Sequence, residues 1–266
     1  MASDKRNGGT LFAAVLIIVI IALAVLIIRD VVTEDDTYYP GLVTVSGTAT
    51  PTPQPDLRPT AGASGLLPVF YSANTSEKRV ALTVQSLPGE SALETLLGGC
   101  ATFNAKITFF VTGEELKKYP EIWQLVMLGG HEVESRGLSG TGTTLMTNAE
   151  LETELDGFTL AAQAYLSPDY APHFYRPSEL ADYEDARLHS YLGQRWYYGV
   201  GSFSLMSPSS LEQFEGGTVV NVNLSEYGVS TFLTMVNALS QDGWEMVTFN
   251  RLFEYEENII STEESA

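Results

Sequence analysis

Between Leu66 and about residue 256 the chain alternates short runs of β-branched and aromatic residues with longer stretches of helical period, an order that few architectures accept. The strand candidates are "RVALTVQ" (Arg79 to Gln85), "KITFFVTG" (Lys106 to Gly113), "RWYYGVG" (Arg195 to Gly201), "TVVNVNL" (Thr218 to Leu224) and "EMVTF" (Glu245 to Phe249). Most are apolar at consecutive positions, which marks them as covered on both faces. Between them, Thr147 and Glu150 form a capping box, after which Leu151, Leu155, Phe158, Ala162 and Tyr165 fall along one side of a predicted helix. Thr112 with Glu115 opens another, and Pro120 starts a segment whose apolar positions Ile122, Leu125, Val126 and Leu128 end at Gly129 and Gly130. A last helix is predicted from about Tyr227 to Gln241. Strands regularly separated by helices imply a mainly parallel α/β domain, as an open sheet or a barrel.

What precedes this domain has a different composition. Leu11 to Ile28 holds no charge and no proline, and as a helix it would run about 27 Å, near the hydrocarbon thickness of a bilayer. Lys5 and Arg6 come before it and Asp30, Glu34, Asp35 and Asp36 after it, so the expected topology puts residues 1–10 in the cytoplasm, 11–28 across the cell membrane as a single-pass anchor, and the C-terminal domain outside. A cleaved signal peptide is the rival reading, opposed by the length of the run and its end at Arg29 without an A-x-A site. Residues 29–65, with "TATPTPQPDLRPT", read as a Pro/Thr-rich tether that would span roughly 30 to 35 Å as a flexible chain. The domain itself is expected at 66–256 and an acidic tail at 257–266.

Thirty-three acidic against fourteen basic side chains give a net charge of -19, which repels phosphate backbones, so no nucleic-acid partner is expected. The single cysteine, Cys100, has no partner for an internal disulfide and reads as core packing in a helix.

In a parallel α/β domain the chemistry sits just past the carboxyl ends of the strands. Those positions hold Gln85 and Ser86, Thr112 and Gly113, Arg136 and Gly137, Ser178 and Glu179, and Asn223. The set is polar and contains no histidine. His131 reads as a structural residue at a strand entry, and neither His173 nor His189 has a second ligand at i+2 to i+4. "GLSGTG" (Gly137 to Gly142) lacks the spacing of a nucleophile elbow or a phosphate loop and reads as a flexible loop.

The segments "PVFYSANTSEKRVALTVQ", "NAKITFFVTGEELKKYPEIWQLVMLGGHEVES", "FYRPSE", "GTVVNVN" and "LSQDGWEMVTFNRLF" resemble, in this order, the polysaccharide deacetylase (NodB-homology, carbohydrate esterase 4) family, with a lead-in like its sporulation-associated subgroup. The resemblance covers about Leu67 to Phe253 and implies a distorted (β/α) barrel of about seven strands, here preceded by one transmembrane helix. It also implies where the family's catalytic groups would stand. The T-F-D-D-G motif, whose aspartates serve as base and metal ligand, falls on Gln85 and Ser86; the metal-binding H-x-x-x-H falls on Arg136 and Gly140; the late leucine-histidine pair falls on Val222 and Asn223. The arginine motif survives in part as Arg176, Pro177 and Ser178.

A catalytic zinc takes about three ligands from His, Asp, Glu or Cys, and without it a bound water keeps a pKa near 15.7 rather than about 7. Gln85 cannot act as a base at neutral pH. The resemblance therefore implies a member without catalytic residues, metal or cofactor. Its cleft, lined by Gln85, Ser86, Arg136, Arg176 and Asn223, would bind a cell-wall glycan or an extracytoplasmic protein. An active or altered carbohydrate N-deacetylase remains the alternative. Arg136 and Arg176 have two readings, a guanidinium brace through Glu179 or Glu134, or donors to a sugar hydroxyl, acetamide or carboxylate, with Trp196, Tyr197 and Tyr198 as a stacking platform.

Overall fold

The sheet is built around one run, Val80 to Val84, that is buried at every position. A computed structural model describes residues 65–85, 89–201 and 214–254, and in it β1 (Val69–Phe70), β2 (Arg79–Val84), β3 (Thr108–Val111), β4 (Glu132–Ser135), β5 (Phe174–Tyr175), β6 (Gly199–Gly201), β7 (Thr218–Val222) and β8 (Glu245–Val247) form one sheet. Seven strands lie in the order β1-β6-β5-β4-β3-β2-β7, every pair parallel. β2 is central because its N-terminal half pairs with β8 and its C-terminal half with β3, while β7 runs along its whole other side. The Lys106 N–H donates to the Met246 carbonyl at 3.0 Å, so β8 is wedged between β2 and the start of β3.

The far edges of the sheet meet. Ser72, just past β1, makes an antiparallel bridge to Thr218 of β7, and the Ala73 N–H donates to the Gly217 carbonyl at 2.9 Å. Only glycine permits that approach: Gly217 has φ +84°, and a Cβ there would lie 2.0 Å from the Ala73 carbonyl oxygen. The result is the expected curled, barrel-like parallel α/β sheet of seven strands, with β8 as an eighth and β1 as a strand too short for any periodic signal.

The helices are α1 (Glu90–Thr102), α2 (Gly113–Lys118), α3 (Pro120–Leu128), α4 (Asn148–Tyr165), α5 (Ala186–Gln194), α6 (Leu224–Gln241, broken at Gly228) and the single turn α7 (Phe249–Leu252). Both expected capping boxes are present, Thr112 with Glu115 on α2 and Thr147 with Glu150 on α4. On α3 the buried face is Ile122, Trp123, Val126 and Met127, whereas Leu125 and Leu128 are exposed. Of the four apolar positions expected to face inward, only Ile122 and Val126 do so, because Trp123 turns inward to stack edge-on against Phe109 and to donate its indole N–H to the Glu115 carbonyl.

Side-chain alternation splits β2 between two cores. Val80, Leu82 and Val84 pack outward against the helices, with Leu93, Leu96, Cys100 and Phe232 among their cluster. Ala81 points inward to a barrel core of Phe110, Phe174, Val219, Val247 and Phe249. Buried Cys100 has its thiol pKa pushed up to about 12 by that burial, consistent with packing rather than reactivity. Among the described residues no helix is long and apolar enough to cross a membrane, and the span expected at 11–28 lies outside them, as do the tether to residue 64 and the acidic tail.

Candidate functional site

Four strands deliver their next residue to one rim. Val84 pairs with Val222 and Ser135 with Tyr175, so Gln85, Asn223, Arg136 and Arg176 are each the first residue past a paired position. Because Val84 and Val222 face the outer core and Tyr175 faces the helices, the residues after them turn toward the barrel axis.

Arg176 is fully buried there. Its guanidinium lies 3.7 Å over the Phe110 ring, Nη1 donates to Asn221 Oδ1 at 3.0 Å and Nη2 donates to Thr83 Oγ1 at 3.0 Å. Thr83 and Asn221 are cross-strand partners in the register of β2 and β7. No carboxylate pairs with it among the described residues. Burial pushes its pKa down to about 9; Tyr183 opposes that fall and the charge of Arg136 adds to it. The Arg176 Nε and Asn221 Nδ2 groups are buried without a hydrogen-bond partner.

Arg136, half-buried, reaches from the end of β4 across the mouth. Its Nη1 donates to the Gln85 carbonyl at 3.0 Å and its Nη2 to Ser178 Oγ at 3.2 Å. The following loop is anchored, not loose as the sequence suggested: Glu154 of α4 accepts from the N–H groups of Ser139 and Gly140, both at 2.8 Å, and from Ser139 Oγ. Asp182 ties the next turn by accepting from the Thr143 and Thr144 N–H groups. A cavity of about 350 Å³ opens beside Arg136, bordered by Thr112, Glu114, Glu115, Lys118, Ser139 and Gly140.

Gln85 is at the rim with its Oε1 buried and unpartnered. Ser86 lies outside the described residues. Asn223 is the N-cap of α6, its Oδ1 accepting from the Ser225 N–H at 3.1 Å. The carboxylate brace expected through Glu179 or Glu134 does not form. Glu134 instead belongs to a buried network with Glu132, whose Oε1 also accepts from Asn250 Nδ2, and with the N–H groups of His173 and Phe174. Burial first, and the neighbouring Glu132 second, hold the Glu134 carboxyl well above the usual carboxylate range. His131 and His189 are structural: each accepts a backbone N–H through Nδ1, from Ile107 and Leu67. Trp196, Tyr197 and Tyr198 precede β6, at the opposite end of a parallel sheet from the rim, so they cannot be the cleft's stacking platform. Sequence reasoning missed Thr83, Asn221 and Glu154; the first two were detectable as lone polar residues inside apolar strands.

Residues 72–192 match the polysaccharide deacetylase family. No curated protein matches the chain. Among solved structures, the Bc1960 peptidoglycan N-acetylglucosamine deacetylase is similar with a TM-score of 0.61 and 20% identity over 71% of this chain and 94% of that one. PdaA of Bacillus subtilis, a family 4 carbohydrate esterase, has a TM-score of 0.59 at 17% identity over 70% of this chain and 85% of that one. Wild-type BA3943 of Bacillus anthracis, a CE4 family pseudoenzyme, has a TM-score of 0.60 at 15% identity over 70% and 68%. At these identities the likeness is one of fold.

The metal of the deacetylase family does not fit the residues present. Among the described residues no three His, Cys, Asp or Glu side chains are placed to hold an ion, and position 136 brings a permanent cation to the rim. Gly140, where the second imidazole would stand, has φ +72°, and a Cβ there would lie 2.8 Å from Thr112 Cγ2. Any side chain at position 140 would therefore be strained.

Proposed function

We propose that this deacetylase-like domain carries out no metal-dependent deacetylation and works as a binding module for cell-wall glycan, held outside the cell membrane by residues 11–28 and the tether after them. The observation that carries the reading is Arg136, whose guanidinium joins the Gln85 carbonyl to Ser178 Oγ across the mouth of the barrel. A bound zinc ion beside it would meet like charge, and Gln85 offers no proton acceptor of the needed basicity. The pseudoenzyme among the structural neighbours is a precedent for a fold of this kind without the activity. A glycan is favoured over a protein because the face beside Arg136 is a polar depression of about 350 Å³, of a size that suits a sugar ring, rather than a broad apolar surface.

The test is acetate release from N-acetylglucosamine oligomers by the full-length chain, with and without added zinc, cobalt or nickel, beside co-sedimentation with purified peptidoglycan. The expected result is no acetate under any condition and retention on the wall material. Metal-dependent turnover would restore the alternative, a carbohydrate N-deacetylase. Failure to sediment would leave an extracytoplasmic protein as the partner.

A further inference from the structure

Helix α5 ends on an unexpected residue for its geometry. After the C-cap Arg195, the Trp196 N–H donates to the Gly193 carbonyl at 3.3 Å and the Tyr197 N–H to the Leu192 carbonyl at 3.2 Å, the paired bonds of a Schellman cap. The residue after the C-cap must then be left-handed, and glycine is its usual occupant. Here it is a tryptophan at φ +69°, the bulkiest of the three non-glycine residues at positive φ among those described. The strain gains little burial, because Trp196 is 63% exposed whereas Trp123 is fully buried. A backbone outlier kept without a gain in core packing points to a use at the surface.

An apolar neighbour lies close by. Arg195, one residue back, gives its Nε and Nη2 donors to Asp156 of α4, and one turn further along that face of the helix stands Leu160, 66% exposed. Asp156 and Glu152 both act on Arg195, two acids to one cation. In a chain of net charge -19 this surface repels an anionic partner but not a neutral or zwitterionic one.

The chain enters the domain at the same place. β1 pairs with β6 in parallel, Val69 with Val200, so four residues back along both strands Gly65 comes level with Trp196. The Leu67 N–H donates to Nδ1 of His189 at 2.9 Å, which fixes the entering chain to the helix that ends at Trp196. The tether of residues 29–65, roughly 30 to 35 Å as a flexible chain, therefore joins the domain at the sheet end that carries Trp196, opposite the Arg136 rim.

We propose that Trp196 and Leu160 seat in the zwitterionic lipid interface of the membrane that holds the anchor, so that the domain stands on the bilayer by the end its tether joins and turns the Arg136 rim outward. The inference rests on the membrane-anchored part of the proposed function. Indole suits that interface, an apolar ring with one N–H donor for the headgroup level. One tryptophan and one leucine bury too little apolar area to hold a free protein on a bilayer. A short tether makes the contact intramolecular, at a high effective concentration, and so makes it sufficient.

The full-length chain in phosphatidylcholine vesicles tests this. Flotation reports whether the chain is anchored, and quenching of tryptophan emission by lipids brominated high on their acyl chains reports whether Trp196 is seated. Trp196→Gly fits the left-handed position, should keep or raise the melting temperature, and supplies the background from Trp123 and Trp244. The expected result is flotation with the wild type quenched well beyond Trp196→Gly, and with Leu160→Ser, which keeps the reporter, quenched less than the wild type. Flotation with equal quenching in wild type and Trp196→Gly overturns the docking while leaving the anchor intact, and failure to float overturns both. A shift of the Trp196 emission by soluble peptidoglycan fragments, without quenching by brominated lipid, would make this a glycan platform and overturn the proposal.

Discussion

A histidine cannot simply be put back at position 140. With φ +72° and Thr112 Cγ2 only 2.8 Å from any Cβ, the residue is held in the left-handed region by a loop that Glu154 grips through two backbone N–H groups. The double variant Arg136→His with Gly140→His is therefore expected to bind zinc no better than about the micromolar range, whereas nanomolar affinity measured by competition with a chelating dye would show that the loop relaxes freely. Arg136 and Arg176 should also differ in what their removal costs. Arg176→Ala strands Asn221 Oδ1 in a fully buried site and should lower stability by roughly 1 to 3 kcal/mol. Arg136→Ala, at a half-exposed rim with neutral partners, should cost less than about 1 kcal/mol; urea unfolding of the two variants makes the comparison, and a larger loss at Arg136 would mark it as a brace instead. Gln85, Arg136 and Gly140 could be located from the sequence because strand ends and motif order locate them without knowledge of register. Thr83 and Asn221 could not be joined to Arg176 that way, since only the pairing of β2 with β7 brings them together.

At the scale of elements, strands and capping boxes were legible because each is written locally. What was not local was lost: the wedge of β8 beside β2, the bridge from Ser72 to Thr218, and the inward turn of Trp123 all depend on partners far along the chain. The β3–β4 junction carries a pH dependence. His131 Nδ1 accepts the Ile107 N–H at 3.2 Å, which a protonated ring cannot do, and burial first, then the charge of Lys106, lower its pKa from 6.5 to about 4. A folded pKa below the unfolded one means stabilisation that is present above pH 6.5 and lost as the pH falls through about 4. The loss is on the order of 3 kcal/mol. Urea midpoints of wild type and His131→Gln measured from pH 7 to pH 4 should converge toward the acid end. Parallel curves across that range would show that the imidazole stays uncoupled from folding.

For the whole molecule, topology and metal independence are the two claims that matter. With Leu11 to Ile28 as an uncleaved anchor and Lys5 and Arg6 inside, an N-terminal tag should resist protease added to intact cells while the tether is cut first. Soluble, tag-free protein beginning near Asp30 would instead identify a signal peptide. The alternation of strand and helix led to a parallel α/β domain and the family resemblance to its curled barrel, but whether a deacetylase fold still hydrolyses depends on a few side chains at its rim. Those side chains make the most direct measurement a metal one. Zinc added to the full-length chain, prepared free of metal, should leave the melting temperature unmoved and bind at far less than one ion per chain, because Arg136 and Gly140 stand where ligands are needed. One tightly bound zinc per chain, with a melting temperature that rises on its addition and falls with chelator, would contradict the loss of metal-dependent hydrolysis outright.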